Sequence, residues 1–172
     1  MALIYKLFKI KFLNFAPLFL LYFLSVTEID TEFSNYFEIL SFNLQLIVIY
    51  YWTLKDSSIL GNGHIFFAGI INDVIMGLPM GLSALSYLIT ALVALYIKNV
   101  TVKTTFFTDW FTFVIAIFFS NLGYLILVFN FTDLNFTYTN LFYNSFFTFL
   151  FYPIFWFIFD IYRSMTGIVS HD

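Results

Sequence analysis

Long apolar runs with few charges between them are the feature that most constrains how this chain can fold. A helix crosses the hydrocarbon core of a bilayer with roughly 20 consecutive apolar residues, and the sequence offers six runs close to this length. They cover approximately residues 10–27, 36–54, 59–76, 81–97, 106–129 and 141–162. The joins between them are short, so the sequence predicts a single transmembrane domain over residues 1–172.

The amino-acid composition places this apolar surface in lipid. Of 172 residues, 62% are hydrophobic, 24% are aromatic and 10% are charged, which is far from the usage of soluble globular domains. A bilayer accepts such a chain if every backbone polar group is paired within a helix or a closed barrel. The apolar runs are continuous and do not alternate with polar residues, which favours helices over a barrel. The sequence therefore predicts an all-α integral membrane protein, a compact bundle of six transmembrane helices.

The distribution of charge predicts the orientation of these helices, because cytoplasmic loops near membrane spans collect Lys and Arg. With six spans and the N-terminus inside, the inner side holds every basic residue: Lys6, Lys9, Lys11, Lys55, Lys98, Lys103 and Arg163. The charges of the outer loops are all acidic: Glu28, Asp30, Glu32 and Asp133. No small-x-small cleavage site follows the first run, which we interpret as a retained helix. Both termini are therefore expected in the cytoplasm.

Several classes of function lack the residues that they require. The chain has no cysteine, which excludes disulfides, thiol nucleophiles and thiolate metal sites. A formal charge of −3 without a basic stripe offers no surface for nucleic acid. His64 and His171 are not placed to form a metal site, and no serine has a histidine at a matching depth. We therefore expect neither an enzyme nor a bound cofactor.

The carboxylate of Asp73 lies near the end of the third apolar run, in the stretch “GIINDVIMGLPMGLSALSYL”. The next helix begins near Gly81, so the backbone amides of Gly81, Leu82 and Ser83 are unpaired donors at its positive dipole end. We expect Asp73 to fold back over the short turn and accept hydrogen bonds from these amides. The sequence thus predicts a helical hairpin that Asp73 holds together.

Four other residues support this hairpin. Gly77 and Gly81 supply backbone conformations that other residues resist, and Pro79 stiffens the turn between them. Asn72, beside the carboxylate, offers an additional polar group. We expect these residues to fix the angle at which the two helices meet.

A proton or ion relay is the alternative role for Asp73, because ionisable groups inside membrane spans are costly and often functional. A relay needs further acids at membrane depth, and none is evident. Glu38, Asp109 and Asp160 fall near the ends of their spans, where we expect each to reach water. The structural role is therefore preferred.

The fourth run carries a stripe of small residues, Ala84, Ala91 and Ala94, that would let another helix approach closely. We interpret it as a packing face inside the bundle, and a face for a separate protein is the alternative. Polar residues also cluster in the second, fifth and sixth runs, where they either line a solute pocket or pair helices with one another or with a partner subunit. They are Ser41, Asn43, Gln45, Ser120, Asn121, Asn140, Asn144, Ser145 and Thr148.

The segment “AGIINDVIMGLPMGLSALSYLITALVALYI”, residues 68–97, resembles the hairpin of the rod shape-determining protein MreD family. Members have a glycine-containing span, an Asp followed by Gly, a small residue or Pro, Gly-Leu, then Ala-Leu and an aromatic residue. The matching residues are Gly69, Asp73, Gly77, Pro79, Gly81, Leu82, Ala84, Leu85 and Tyr87. Chain length, span number and low charge also fit this family.

The resemblance implies a non-enzymatic scaffold of the bacterial cytoplasmic (inner) membrane, in the machinery that directs lateral peptidoglycan synthesis and maintains rod shape. The implied partners are an MreC-like protein, the actin-like MreB, the polymerase RodA and a class B penicillin-binding transpeptidase. The family is also similar in fold to the substrate-binding subunits of energy-coupling-factor vitamin transporters. A solute-binding transporter subunit is therefore the alternative function. A deep polar pocket open to the outside would favour this alternative, and a bundle filled with phenylalanine would favour the scaffold.

Overall fold

The computed structural model describes residues 15–27, 43–101, 105–131 and 138–166, and the regular structure of these residues is entirely helical. The helices are α1 (Ala16–Val26), α2 (Leu44–Lys55), α3 (Ser57–Leu60), α4 (Asn62–Ile75), α5 (Leu82–Val100), α6 (Phe106–Phe131) and α7 (Tyr138–Thr166). The charged residues of the N-terminal segment and of the first and third outer loops lie outside the described residues, as do Glu38, Ser41, Lys103 and His171.

Three of the helices have the length and composition of membrane spans. They are α5, α6 and α7, with 19, 26 and 29 residues. Within the described ranges α1, α2 and α4 have only 11, 12 and 14 residues. The all-helical fold is therefore confirmed with three helices long and apolar enough to cross a membrane, and the count of six spans stays a prediction.

The third predicted run does not form one helix, because the chain breaks at Gly61. This residue has a positive φ of 62° and separates the short helix α3 from α4. Asp56 caps α3, since its carboxylate accepts a hydrogen bond from the Ser58 amide at 3.0 Å. A glycine that adopts this conformation at little cost thus redirects the chain between α2 and α4.

Helix α2 is the centre of the bundle. Every residue from 46 to 54 is buried, as expected for a helix that is covered on all sides. It packs against α1, α5 and α7 and also contacts α6. Around it the core is aromatic: the Phe113 ring lies 4.8 Å from the Tyr50 ring and 4.6 Å from the Tyr152 ring, measured between centroids. Aromatic side chains therefore make up the core beside this part of α2.

The two ends of the bundle carry different groups. At the hairpin end, defined by the α4–α5 turn, the Asn43 amide at the start of α2 donates to Thr148 Oγ1 of α7 at 2.8 Å. At the opposite end, which we call the ion-pair end, Lys55 of α2 contacts Asp109 at the start of α6. Three basic residues, Lys55, Lys98 and Arg163, fall in the last turns of α2, α5 and α7, which all run toward the ion-pair end.

The last two helices expose much of their apolar surface. Only 33% of the α6 span and 17% of the α7 span are buried inside the chain. The exposed side chains on α7 are bulky and apolar, and include Phe142, Phe146, Leu150, Ile154, Phe157, Ile158 and Ile161. Such a surface needs lipid or apolar partner helices to cover it.

Candidate functional site

The carboxylate of Asp73 closes the hairpin between α4 and α5. Asp73 is 0% exposed, and its Oδ2 accepts a hydrogen bond from the Gly81 amide at 2.8 Å. Its Oδ1 accepts one from the Ser83 amide at 2.7 Å. Both amides belong to the start of α5, where donors lack partners within the helix. The expected bonds from Gly81 and Ser83 are therefore present, whereas the Leu82 amide donates to the Pro79 carbonyl at 3.3 Å.

The backbone of the turn depends on glycine. Gly77 and Gly81 have φ values of 62° and 102°, in the region that side chains resist. A Cβ added at either position would meet no atom within 4 Å, so conformation and not space requires glycine there. The Leu78 amide donates to the Asp73 carbonyl at 2.8 Å. Pro79 stiffens the middle of the turn through its fixed φ.

A polar network extends from the hairpin to the neighbouring helices. Asn72 Nδ2 donates to Ser83 Oγ at 2.9 Å, so the amide side chain supports the hairpin as well. Gln45 Nε2 of α2 lies 3.4 Å from Asn72 Oδ1 and donates to the Leu24 carbonyl of α1 at 3.0 Å. The hairpin is thereby joined to α1 and α2.

The alanine stripe of α5 faces the interior of the chain. Ala84, Ala91 and Ala94 are 0–2% exposed. Gly69 of α4 lies against the first of them, since a Cβ built on Gly69 would be 2.3 Å from the Ala84 Cα. Small residues at a helix crossing permit this close approach. The structure thus places the stripe at a packing face within the bundle.

A cavity of about 180 Å³ lies beside the hairpin. Its walls come from the starts of α2, α5 and α7 and from the second half of α6. Ser83 belongs both to this wall and to the Asp73 hairpin. The lining residues are Asn43, Leu46, Ser83, Ser86, Tyr87, Ile117, Asn121, Tyr124, Leu141, Asn144, Ser145 and Thr148.

Five residues of the predicted polar cluster reach this cavity, namely Asn43, Asn121, Asn144, Ser145 and Thr148. Some of them also pair helices, as the sequence left open. Asn121 Nδ2 of α6 donates to Ser145 Oγ of α7 at 2.6 Å, and the Asn43 amide donates to Thr148 Oγ1. The cluster therefore lines a pocket and holds its walls together.

The polar face of α5 was missed by the sequence reasoning. Ser83, Ser86 and Tyr87 line the cavity, and Thr90 is buried one turn further on. Their spacing of three, four and seven residues from Ser83 places them on one helical face. This spacing is visible in the sequence, on the same helix as the alanine stripe.

A buried ion pair lies at the ion-pair end. Lys55 Nζ is 2.6 Å from Asp109 Oδ2, and the two side chains are 7% and 1% exposed. Trp156 Nε1 of α7 donates to the same oxygen at 3.0 Å. The expectation that Asp109 reaches water is therefore wrong, because α2 and α7 cover the start of α6. No local pattern in the sequence signals a pairing between residues so far apart in the chain.

Metal binding finds no support in the described part of the chain. No group of three or more His, Cys, Asp or Glu residues is assembled there. His64 is exposed at the start of α4, and its Nδ1 lies 3.1 Å from the Tyr22 hydroxyl of α1.

Together the fold and the site define an all-helical class of structure, with three described helices long and apolar enough to cross a membrane, a carboxylate-capped hairpin and an adjacent polar cavity. Comparison of the chain with protein-family models, with curated proteins and with solved structures finds no match.

Proposed function

We propose that this protein is a non-enzymatic membrane scaffold of the bacterial cell-wall elongation machinery, of the MreD type. The observation that carries the proposal is the exposed surface of α7, because only 17% of its membrane-spanning stretch is buried although the helix lies against α2 and α6. Lipid tails remove the hydrophobic driving force between helices in a membrane, so partners associate there through van der Waals packing and interhelical hydrogen bonds. A long, apolar and weakly covered helix suits a partner helix.

The hairpin supports the same proposal. The residues that carry the resemblance, including Asp73, Gly77 and Gly81, hold α4 and α5 at a fixed angle through bonds to the carboxylate. A rigid pair of helices presents a constant surface to partners, which is what a scaffold requires. The proposal assigns no catalytic residue and no cofactor.

In this proposal the chain crosses the bacterial cytoplasmic membrane six times, with both termini in the cytoplasm. The gathering of Lys55, Lys98 and Arg163 at one end of the bundle supports that orientation. The proposed partners are an MreC-like protein and, in the same assembly, MreB, RodA and a class B penicillin-binding transpeptidase.

The test is purification of the tagged protein from its native membranes in mild detergent, with quantification of co-purifying proteins by mass spectrometry. We expect the MreC-like protein and elongation enzymes to be enriched, and Ile154→Trp on the exposed face of α7 to reduce their recovery. Leu92→Trp on α5 is the matched control, because Leu92 is 60% and Ile154 53% exposed. Absence of every elongation protein from the wild-type sample would overturn the proposal.

The cavity favours a second candidate function, the solute-binding subunit of an energy-coupling-factor type transporter. Its polar walls suit a solute, but its volume of about 180 Å³ is below the roughly 300–1,000 Å³ of pockets for drug-sized ligands. The aromatic half of the core also favours the scaffold. Recovery of ATPase and coupling subunits in the same purification would establish the second candidate instead.

A further inference from the structure

The cavity beside the hairpin has an uncharged polar lining. Nine of its twelve lining residues carry an amide, a hydroxyl or a phenol, and none is Asp, Glu, Lys, Arg or His. An anion or a cation would enter without a counter-charge in the wall, which is costly in a site shielded from water. The Asp73 carboxylate stands behind this wall, with its oxygens bound to the Gly81 and Ser83 amides. The lining therefore selects an uncharged ligand.

The hydrogen-bonding character of the lining narrows the ligand further. Carboxamides and hydroxyls both donate and accept, and they match groups that do the same, above all hydroxyls. Tyr87 is 2% exposed and brings a phenol hydroxyl to the helix that also contributes Ser83 and Ser86 to the cavity lining. Since a phenol both donates and accepts, Tyr87 offers the cavity a group to which a ligand hydroxyl can bind.

The apolar part of the lining suits the carbon skeleton of the same ligand. Leu46, Ile117 and Leu141 lie among the polar groups, where they can contact C–H groups while the amides and hydroxyls bind oxygens. Most of the half-buried lining residues, among them Asn121 and Asn144, belong to α6 and α7, so in the described part of the chain the mouth lies between these two helices. A ligand can reach this mouth from water at the hairpin end or from the bilayer between the two helices.

We propose that this cavity binds a small uncharged polyhydroxyl group of about the size of one sugar ring, supplied by a free polyol or monosaccharide or by the headgroup of a neutral glycolipid. The proposal deepens the second candidate function if the ligand is a free solute. It adds a lipid site to the scaffold if the ligand is a headgroup.

The test uses the full chain reconstituted in phosphatidylcholine nanodiscs and isothermal titration calorimetry. Glucose and myo-inositol are the neutral probes, and glucose 6-phosphate and glucosamine are their charged counterparts. Separate nanodiscs with and without monoglucosyldiacylglycerol examine the headgroup, through retention of the glycolipid after detergent exchange. We expect saturable binding of at least one neutral probe, weakened at least tenfold when a charge is added. Binding of the free sugars alone identifies a free solute as the ligand, and retention of the glycolipid alone identifies a lipid headgroup.

Two variants tie the binding to this cavity. Tyr87→Phe removes one hydroxyl from the lining, and we expect binding to weaken about five- to tenfold. Tyr152→Phe is the matched control, since it removes a buried hydroxyl from the aromatic core, outside the cavity lining. Leu141→Trp fills the mouth and should abolish binding, with circular dichroism used to verify that each variant is folded.

The proposal is overturned if folded wild-type protein binds no neutral probe in either arm, if charged probes bind as well as neutral ones, or if Tyr152→Phe weakens binding as much as Tyr87→Phe. Failure of the scaffold is a separate result, because it is read from co-purifying proteins and not from sugar or glycolipid binding.

Discussion

A buried carboxylate is tolerated in this apolar bundle because two backbone amides face it. Each oxygen of Asp73 accepts one amide at 2.7–2.8 Å, and charge-assisted bonds of this kind are stronger than those between neutral groups. The positive end of the α5 dipole adds to the stabilisation of the negative charge. The same interactions satisfy donors that every helix start leaves open.

Replacing Asp73 by Ala should therefore lower the free energy of unfolding by about 2–5 kcal/mol, since it leaves two buried amides without partners. The measurement is SDS-induced unfolding of the detergent-solubilised protein, followed by far-ultraviolet circular dichroism. Asp56→Ala is the matched control, because Asp56 also caps a helix through a backbone amide but in an exposed setting. We expect its cost to be about 0.5–2 kcal/mol. Equal losses of unfolding free energy for the two variants would show that burial does not increase the cost of removing the carboxylate.

At the scale of the elements, α4 and α5 approach each other so closely that only glycine fits at position 69. A Cβ on Gly69 would lie 2.3 Å from the Ala84 Cα and 2.6 Å from its nitrogen. These are backbone atoms that cannot rotate away, so the two helices would have to separate. The hairpin turn and the Gly69 contact thus fix the same pair of helices at two points.

Gly69→Ala should destabilise the protein by more than about 2 kcal/mol, because the overlap involves backbone. The control is Gly63→Ala near the start of α4, where an added Cβ meets no atom within 4 Å and φ is not positive. That substitution should be neutral or stabilise by about 0.4–1 kcal/mol. Thermal unfolding in detergent compares the two variants, and a Gly69→Ala protein as stable as the wild type would contradict the requirement for glycine at this contact.

Three elements meet at the buried ion pair of Lys55 and Asp109, with Trp156 as a further donor. Lys55→Met should cost about 3–5 kcal/mol, because it leaves a buried carboxylate without its counter-charge. The double variant Lys55→Met, Asp109→Leu should recover most of that loss, since apolar replacements of both partners are often neutral. Chemical unfolding of the wild type, both single variants and the double variant completes the cycle. If the double variant lost as much unfolding free energy as the two single variants together, the two charges would not be coupled.

For the whole molecule, the proposed topology separates the two ends of the bundle across the membrane. The natural chain has no cysteine, so a single introduced thiol reports its own side. We expect Met80→Cys, at a turn residue that is 78% exposed, to react with a membrane-impermeant maleimide in intact cells. Ser58→Cys, which is also exposed, should react only after permeabilisation. Labelling of both residues from the same side would contradict the six-span topology.

The local features of this protein could be predicted from its sequence. Apolar length predicted the helices, and the glycines with Asp73 predicted the hairpin, because a helix start always has free amides and a positive φ favours glycine. These rules act between residues that are close in the chain. The break at Gly61 is also local, but it was not predicted, since a glycine within an apolar run is compatible with a continuous helix.

The tertiary structure alone decided which distant residues meet. The pairing of Lys55 with Asp109, the contact of Gly69 with Ala84 and the cavity between α2, α5, α6 and α7 all depend on how the helices are rotated and tilted against one another. In a bundle whose helices are apolar on most faces, hydrophobicity does not single out one rotation. Small differences in side-chain shape and a few buried polar bonds select it, and they become visible only when the helices are packed together.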